Sequence, residues 1–130
     1  MSDFPATLDT NRVATLSLVE IALQHAQATQ ADGERGYEAG ARIHLAARQC
    51  LRLCLAVLAD KSQRLPRRRR AILELIEQHA QAGIVLAAVL QDDKIVNGER
   101  RRALLDLLVV LADLAYYLDV LGRGGWAGEL

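Results

Sequence analysis

The stretch IHLAARQCLRLCLAV, from Ile43 to Val57, decides the fold of this chain. Its apolar residues recur in alternating steps of four and three, which places them on one face of an α-helix. That face comprises Ile43, Ala47, Cys50, Cys54 and Val57. A narrow face with this alternation is typical of helices that pack side by side along a bundle.

Three further segments show helical spacing. The stripe in the first is Leu16, Val19, Leu23 and Ala26, and the stripe in the third is Ile72, Ile76, His79, Gly83, Leu86 and Leu90. We expect helices over about residues 11–31, 35–61, 66–90 and 99–121, with Thr10 or Asn11 capping the first. Long helices joined by short connections run antiparallel. The sequence therefore predicts an all-α fold, an up-down-up-down antiparallel four-helix bundle that forms a single domain over residues 1–130.

The composition agrees with one globular helical domain. Apolar residues make up 52% of the chain and charged residues 25%, a balance that favours a packed core over disorder. The formal net charge is zero, so any attraction to nucleic acid depends on where the charges lie. No Arg/Lys-led apolar segment opens the chain, and no run of about 18 uncharged apolar residues occurs. We therefore expect a cytoplasmic protein with neither a secretion signal nor a membrane span.

An arginine-rich run, RLPRRRR from Arg64 to Arg70, is the most unusual segment. Pro66 suits the first position of a helix, which puts the four arginines from Arg67 onward in the first helical turn. Cations are unfavourable there because a helix N-terminus already carries partial positive charge. An anionic partner would compensate, and guanidinium groups suit bidentate contacts with phosphate.

The predicted topology brings more basic residues to the same end of the bundle, because helices 1 and 3 start there and helices 2 and 4 end there. The candidate anion-binding or nucleic-acid-binding residues are Arg12, Lys61, Arg64, Arg67, Arg68, Arg69, Arg70 and Arg123. Aromatic platforms are few, so contact with a phosphate backbone fits better than base stacking. Two other interpretations are a solvated charge run beside Asp60 or Asp119, and a docking site for an acidic protein surface.

Helices 3 and 4 have few polar residues for outer faces of a bundle. The segment IVLAAVL over 84–90 has no charge, and Asp106 and Asp113 are the only charges between Ala103 and Leu118. Either these helices are tightly buried, or they present a second apolar face for self-association or a partner helix. The predicted oligomer interface comprises Ile84, Leu86, Val89, Leu104, Leu108, Leu111 and Tyr116.

No residue pattern indicates catalysis or metal binding. Cys50 and Cys54 could ligate zinc together with a histidine, but no histidine stands at regular ligand spacing from them. We expect both to be core thiols, and His79 to be a core or boundary residue. The Glu-x-x-His pattern of di-iron bundles is missing, and no Ser/His/Asp arrangement can be placed. We therefore predict no enzyme activity, no metal and no cofactor.

Three segments carry a resemblance to a known family. GYEAGARI, from Gly36 to Ile43, is similar to an aromatic-x-x-Gly-x-Arg-Ile-like opening of a second helix, the run around Arg64 to Arg70 resembles a basic linker, and GRGGW ends at Trp126. These features resemble the four-helix-bundle family of the accessory variability proteins of diversity-generating retroelements, which includes the ribosomal intervening-sequence proteins. The resemblance covers about residues 12–126. It implies a non-enzymatic homo-oligomer, a pentameric barrel in the accessory variability proteins, that binds a reverse transcriptase and its template RNA.

Three functions follow from these features. The first is a bundle that self-associates through helices 3 and 4 and presents its arginine-rich ends to RNA or to a nucleic-acid enzyme such as a reverse transcriptase. The second is an export-type or adaptor chaperone, comparable to the flagellar export chaperones, that holds a partner helix in an apolar groove. The third is a small helical subunit of a larger ribonucleoprotein. Steeply salt-dependent RNA binding is expected of the first.

Overall fold

The computed structural model describes residues 6–32, 36–60 and 65–123, and these residues form four α-helices without a strand. The helices are α1 (Ala6–Asp32), α2 (Tyr37–Ala59), α3 (Arg67–Gln91) and α4 (Asn97–Leu121). Both α1 and α3 pack against α2 and α4, so α2 and α4 lie diagonally opposite each other. The predicted all-α four-helix bundle is confirmed.

Contacts between helix ends establish the direction of each helix. Arg12, near the start of α1, bonds to the carbonyl oxygen of Leu118, near the end of α4. Cys54, near the end of α2, lies 3.6 Å from the carbonyl oxygen of Leu73, near the start of α3. At the other end of the bundle, Gly36 precedes α2 and lies against the last turns of α1 and α3. The order is therefore up-down-up-down, and α2 and α4 run in the same direction.

The core is a set of narrow seams rich in small residues. All five residues predicted for the α2 seam are buried. The buried seam of α3 repeats in steps of four and three, and it comprises Arg69, Leu73, Ile76, Ala80, Gly83, Ala87 and Leu90. In the predicted α3 stripe, Ile72, His79 and Leu86 are only half-buried. The buried residue is in each case the next one along the helix, so the buried face is rotated by about one residue from the predicted stripe. In α1, Val19 and Ala26 are buried as predicted, whereas Leu16 and Leu23 are half-buried.

All four helix starts differ from the predicted ones, and at α1 and α3 the difference changes the residue that caps the helix. α1 begins at Ala6 rather than near Asn11, so neither Thr10 nor Asn11 caps it. Thr10 Oγ1 instead donates to the carbonyl oxygen of Ala6 at 3.1 Å, a bond that threonine makes inside a helix. α3 begins at Arg67, and Pro66 occupies the N-cap position. The prediction that the four arginines fill the first turn of α3 is confirmed.

Two glycines shape the start of α2. Gly36 has a left-handed backbone (φ 81°, ψ 10°), and its carbonyl oxygen accepts the N–H of Gly40 at 2.8 Å. A Cβ at Gly40 would lie 2.8 Å from Gln91 Cγ and 3.0 Å from the Ala87 carbonyl oxygen. The α2 and α3 backbones therefore approach each other more closely here than any side chain at position 40 permits.

The length and composition of α3 also meet the criterion for crossing a membrane, since an 18-residue window has a mean hydropathy of 1.3. In the bundle, 28% of that window is buried. A core helix of a bundle meets the same criterion, and here the α3 seam packs between α2 and α4. The expected lack of a membrane span stays a prediction.

Candidate functional site

The first turn of α3 lies at the end of the bundle where α1 also starts and where α2 and α4 end. Arg67, Arg68 and Arg70 are exposed there, but Arg69 is only 2% exposed. The predicted anion-binding role of Arg69 is therefore wrong, because its side chain is enclosed in the α3 seam, one step before Leu73. Two other predicted residues, Lys61 and Arg64, lie outside the described residues.

Arg12 has a structural role in the bundle, and its predicted anion-binding role stays a prediction. Its side chain is half-buried between α1 and α4. Nε lies 2.7 Å from Asp9 Oδ1, and Nη1 donates to the carbonyl oxygen of Leu118 at 3.0 Å. The guanidinium also lies directly over Gly122, where a Cβ would collide with it. Arg12 therefore holds the end of α4 against α1.

Arg123 follows α4 at the same end of the bundle and remains exposed. Its Nη2 lies 2.8 Å from Asp119 Oδ2, a pair one helical turn apart. Such an exposed pair contributes little stability. We call the surface formed by Arg67, Arg68, Arg70 and Arg123 the arginine end.

The start of α3 has the electrostatics of an anion-binding site. Pro66 provides no side-chain cap, and its backbone is extended (φ −61°, ψ 151°). No acidic residue stands in the first turn, whereas α1, α2 and α4 each have one there. The unpaired N–H groups of a helix start and the partial positive charge of its dipole add to the arginine charges.

At the opposite end of the bundle, Arg100 stabilises the end of α3. Its Nη2 donates to the carbonyl oxygen of Asp92, which ends α3. A cavity of about 1010 Å³ lies beside it and mixes apolar residues such as Leu90 and Ile95 with Arg100 and Arg101. Because Asp93 also lines this cavity, the basic charge there is partly offset.

The predicted oligomer interface is partly wrong. Leu104 and Leu111 are 7% and 1% exposed, so they belong to the core and cannot contact a second protein. Four other predicted residues are half-buried and pack against the core: Ile84, Leu86, Val89 and Leu108. Only Tyr116 is largely exposed, at 58%.

The large exposed apolar residues of α3 and α4 stand next to the predicted ones. They include Val85, Leu105 and Val109. The signal that would have identified them is the register of α4. Its buried residues repeat in steps of three and four through Leu107 and Leu111, so positions 105 and 109 must point outward.

A polar cluster joins α3 to α4 beside the core. His79 Nδ1 lies 2.8 Å from the carbonyl oxygen of Leu75, and His79 Nε2 lies 3.4 Å from Asp113 Oδ2. The Tyr117 ring meets the imidazole edge-on, with 5.2 Å between ring centroids. His79 is thus the half-buried boundary residue that the sequence predicts.

Cys50 and Cys54 are free and buried in the core, as predicted. Burial, and secondarily the nearby Cys54, raises the pKa of Cys50 to about 12. Burial, and secondarily Glu77, raises the pKa of Cys54 to about 12. Both thiols therefore stay protonated near neutral pH, whereas nucleophiles and metal ligands must be thiolates. Among the described residues, no group of three or more His, Cys, Asp and Glu side chains could hold a metal ion.

Comparison with known proteins gives no relative: no family model, no curated protein and no solved structure matches this chain. The resemblance to the accessory variability proteins therefore stays a prediction from the sequence.

Proposed function

We propose that this chain is a non-enzymatic accessory protein that self-associates and docks through the arginine end onto RNA or onto a nucleic-acid enzyme such as a reverse transcriptase. The observation that carries the proposal is the start of α3. Arg67, Arg68 and Arg70 are exposed around a helix N-terminus that lacks an acidic residue and a side-chain cap.

Three contributions at this site favour phosphate as the ligand group. Guanidinium groups bind phosphate oxygens bidentately, the first N–H groups of α3 can donate to the same oxygens, and the helix dipole favours negative charge. The rest of the chain adds no general attraction, because the formal net charge is zero. Docking is therefore expected to be local and to weaken with salt. The logarithm of the binding constant should fall against the logarithm of the salt concentration, with a slope of about −0.7 for each single-strand phosphate contacted.

Self-association is supported by the apolar side chains that the bundle leaves exposed. Large ones include Leu55 at 67% and Val109 at 62%, and they lie on the diagonally opposite helices α2 and α4. Exposed apolar residues on two opposite sides give a protomer two surfaces against which neighbouring copies can pack. Several copies would present several arginine ends to one nucleic acid.

RNA binding can be tested with two matched double variants. Arg67→Gln/Arg70→Gln removes two arginines from the arginine end, and Arg101→Gln/Arg102→Gln removes two exposed arginines near the start of α4 at the opposite end. Fluorescence anisotropy with a labelled RNA, between about 50 and 200 mM salt, gives the affinity and its salt slope.

The first variant is expected to lose at least about tenfold in RNA affinity and to flatten the salt slope by about 1.4, since two contacts are lost. The second variant is expected to match wild type. The melting temperatures of both variants check that they fold. The first variant should not melt at a lower temperature than wild type, because removing cations from a helix N-terminus is not destabilising. Equal RNA affinity of wild type and both variants would overturn the arginine end as an RNA-docking site.

The chaperone alternative makes a different prediction. A chaperone of this size is expected to be a monomer that captures an amphipathic peptide helix and ignores RNA. Native mass measurement and peptide titration of the same wild-type sample separate the two functions.

A further inference from the structure

The outward side of α2 carries a second regular stripe. Leu45, Arg48, Arg52 and Leu55 follow in steps of three, four and three, and all four are exposed. This spacing keeps them on one face, opposite the buried seam of the same helix. We call these four residues the α2 stripe.

The outward side of α4 carries a similar stripe of different chemistry. Leu105, Val109, Ala112 and Tyr116 follow in steps of four, three and four, and all four are exposed. Two stripes of heptad spacing on one helix, one buried and one exposed, are more than a four-helix bundle needs. We call these four residues the α4 stripe.

The stretches of α2 and α4 that bear the two stripes carry opposite charges. Arg42, Arg48 and Arg52 are the only Asp, Glu, Lys or Arg residues in 41–59 of α2, and Asp106, Asp113 and Asp119 are the only ones in 103–121 of α4. The α2 side is therefore apolar and basic, and the α4 side is apolar and acidic.

Several of these charges are not used within the bundle. Arg42 pairs with Glu38 and Asp119 pairs with Arg123, each within its own part of the chain. Among the described residues, no ion-pair partner lies near Arg48, Arg52 or Asp106.

We propose that the α2 stripe of one copy of this chain packs against the α4 stripe of a second copy. The proposal rests on the self-association in the proposed function and specifies its surfaces. A second copy is the partner that fits, because one and the same chain carries the basic α2 stripe and the acidic residues that flank the α4 stripe. Symmetric pairing of two α2 stripes would oppose arginines, and symmetric pairing of two α4 sides would oppose aspartates, which is unfavourable.

The diagonal placement of α2 and α4 fixes the type of assembly. Each copy offers one basic and one acidic face on opposite sides, so both can be occupied at once by different neighbours. Contacts of this kind are head-to-tail, and they repeat until a ring closes or a filament grows.

Charge reversal on each side tests the pairing. The α2 variant is Arg48→Glu/Arg52→Glu, and the α4 variant is Asp106→Arg/Asp119→Arg. All four positions are exposed, so folding is expected to persist, and far-ultraviolet circular dichroism checks it. Light scattering after size exclusion gives the mass of each variant, of the chain that combines all four changes, and of an equimolar mixture of the two variants.

Wild type is expected to be oligomeric, and each variant alone should raise the dissociation constant at least about a hundredfold, since like charges then face each other. The mixture and the combined chain should both recover assembly, because opposite charges meet again in both. A symmetric interface cannot give this pattern.

Any other result would overturn the pairing of the two stripes, the self-association, or both. A monomeric wild type overturns both this proposal and the self-association in the proposed function. Oligomers that persist in both variants, or a mixture that fails to assemble, overturn the pairing of the two stripes and leave self-association standing. The RNA titration above tests the arginine end independently of these variants.

Discussion

Arg12 on α1 donates a hydrogen bond to the carbonyl oxygen of Leu118 on α4, and thereby ties the first helix to the last. None of the four helices has a basic residue in its own last turn. At the ends of α3 and α4, another helix supplies the missing cation. Arg100 of α4 donates to the carbonyl oxygen of Asp92, which ends α3, and Arg12 of α1 donates to the carbonyl oxygen of Leu118 near the end of α4. The favourable interaction of a cation with a helix C-terminus is thereby retained.

Replacing Arg12 tests this tie. Arg12→Ala is expected to lower the free energy of unfolding by about 1–3 kcal/mol, because the Leu118 carbonyl loses a charged donor and the contact over Gly122 is lost. Urea denaturation gives the difference. Arg67→Ala, at an exposed position of the same end, is the control and should stay within about 0.5 kcal/mol of wild type. Equal stabilities of the two variants would contradict the structural role of Arg12.

Gly40 and Gly83 are both buried glycines inside helices, but they are expected to respond oppositely to alanine. Gly40→Ala would push a methyl group against Ala87 and Gln91 of α3 and should destabilise the protein by about 1–3 kcal/mol. At Gly83 the new Cβ would meet Ala47 Cβ at 3.7 Å, an ordinary contact. Gly83→Ala should therefore stabilise the protein by up to about 1 kcal/mol, because alanine favours helix.

Thermal melting of the two alanine variants in one buffer measures both changes. A Gly40→Ala variant as stable as wild type would contradict the close approach of α2 and α3.

Arg69 and Arg70 are neighbours of the same residue type with different environments. Arg69→Ala is expected to cost more than about 1 kcal/mol, because it empties a buried position in the α3 seam. Arg70→Ala is expected to leave stability within about 0.5 kcal/mol, since that side chain is exposed. Arg69→Met, which keeps the aliphatic stem, should recover part of the loss. Chemical denaturation measures all three, and a neutral Arg69→Ala would contradict burial of this arginine.

The two core thiols predict a loss of stability at alkaline pH. Each thiol has a pKa near 9.0 when exposed and about 12 in the folded protein. Between these two pKa values the unfolded chain loses the thiol protons and the folded chain keeps them. The thiols therefore leave the free energy of unfolding unchanged below pH 9.0 and lower it as the pH rises toward 12. The slope is about 1.4 kcal/mol per pH unit for each thiol.

Cys50→Ala/Cys54→Ala serves as the control for this pH dependence, because other groups also titrate in this range. The wild-type stability curve should fall more steeply than that of the double variant. Labelling by a thiol reagent at pH 8 should likewise be slow in the folded protein and fast in urea. Rapid labelling of the folded protein would contradict burial of the thiols.

The sequence was sufficient for the class of fold and for the α2 seam, because hydrophobic periodicity depends on local spacing alone. It was insufficient for Arg69, because the charge of an arginine argues for the surface while the repeat through Leu73 and Ile76 argues for the core. Only the packed neighbours decide between the two. The long aliphatic stem of arginine makes the buried outcome possible.

The apolar outer residues were predicted in kind but not in position. Both Leu104 and Leu105 are leucines, so hydrophobicity cannot tell which of them faces the core. The helix register decides, and its signal in the sequence is the repeat of leucines in steps of three and four from Leu104 to Leu121. Arg12 differs again, because its partner Leu118 becomes a neighbour only once the bundle closes.

The shared direction of α2 and α4 has a consequence for binding strength. If copies join through these two helices around an axis parallel to the bundle, every α3 starts on the same rim of the assembly. A long polyanion that contacts one copy would then find the next arginine cluster at high effective concentration. Avidity of this kind would let a chain with no net charge hold a nucleic acid that a single copy binds only weakly.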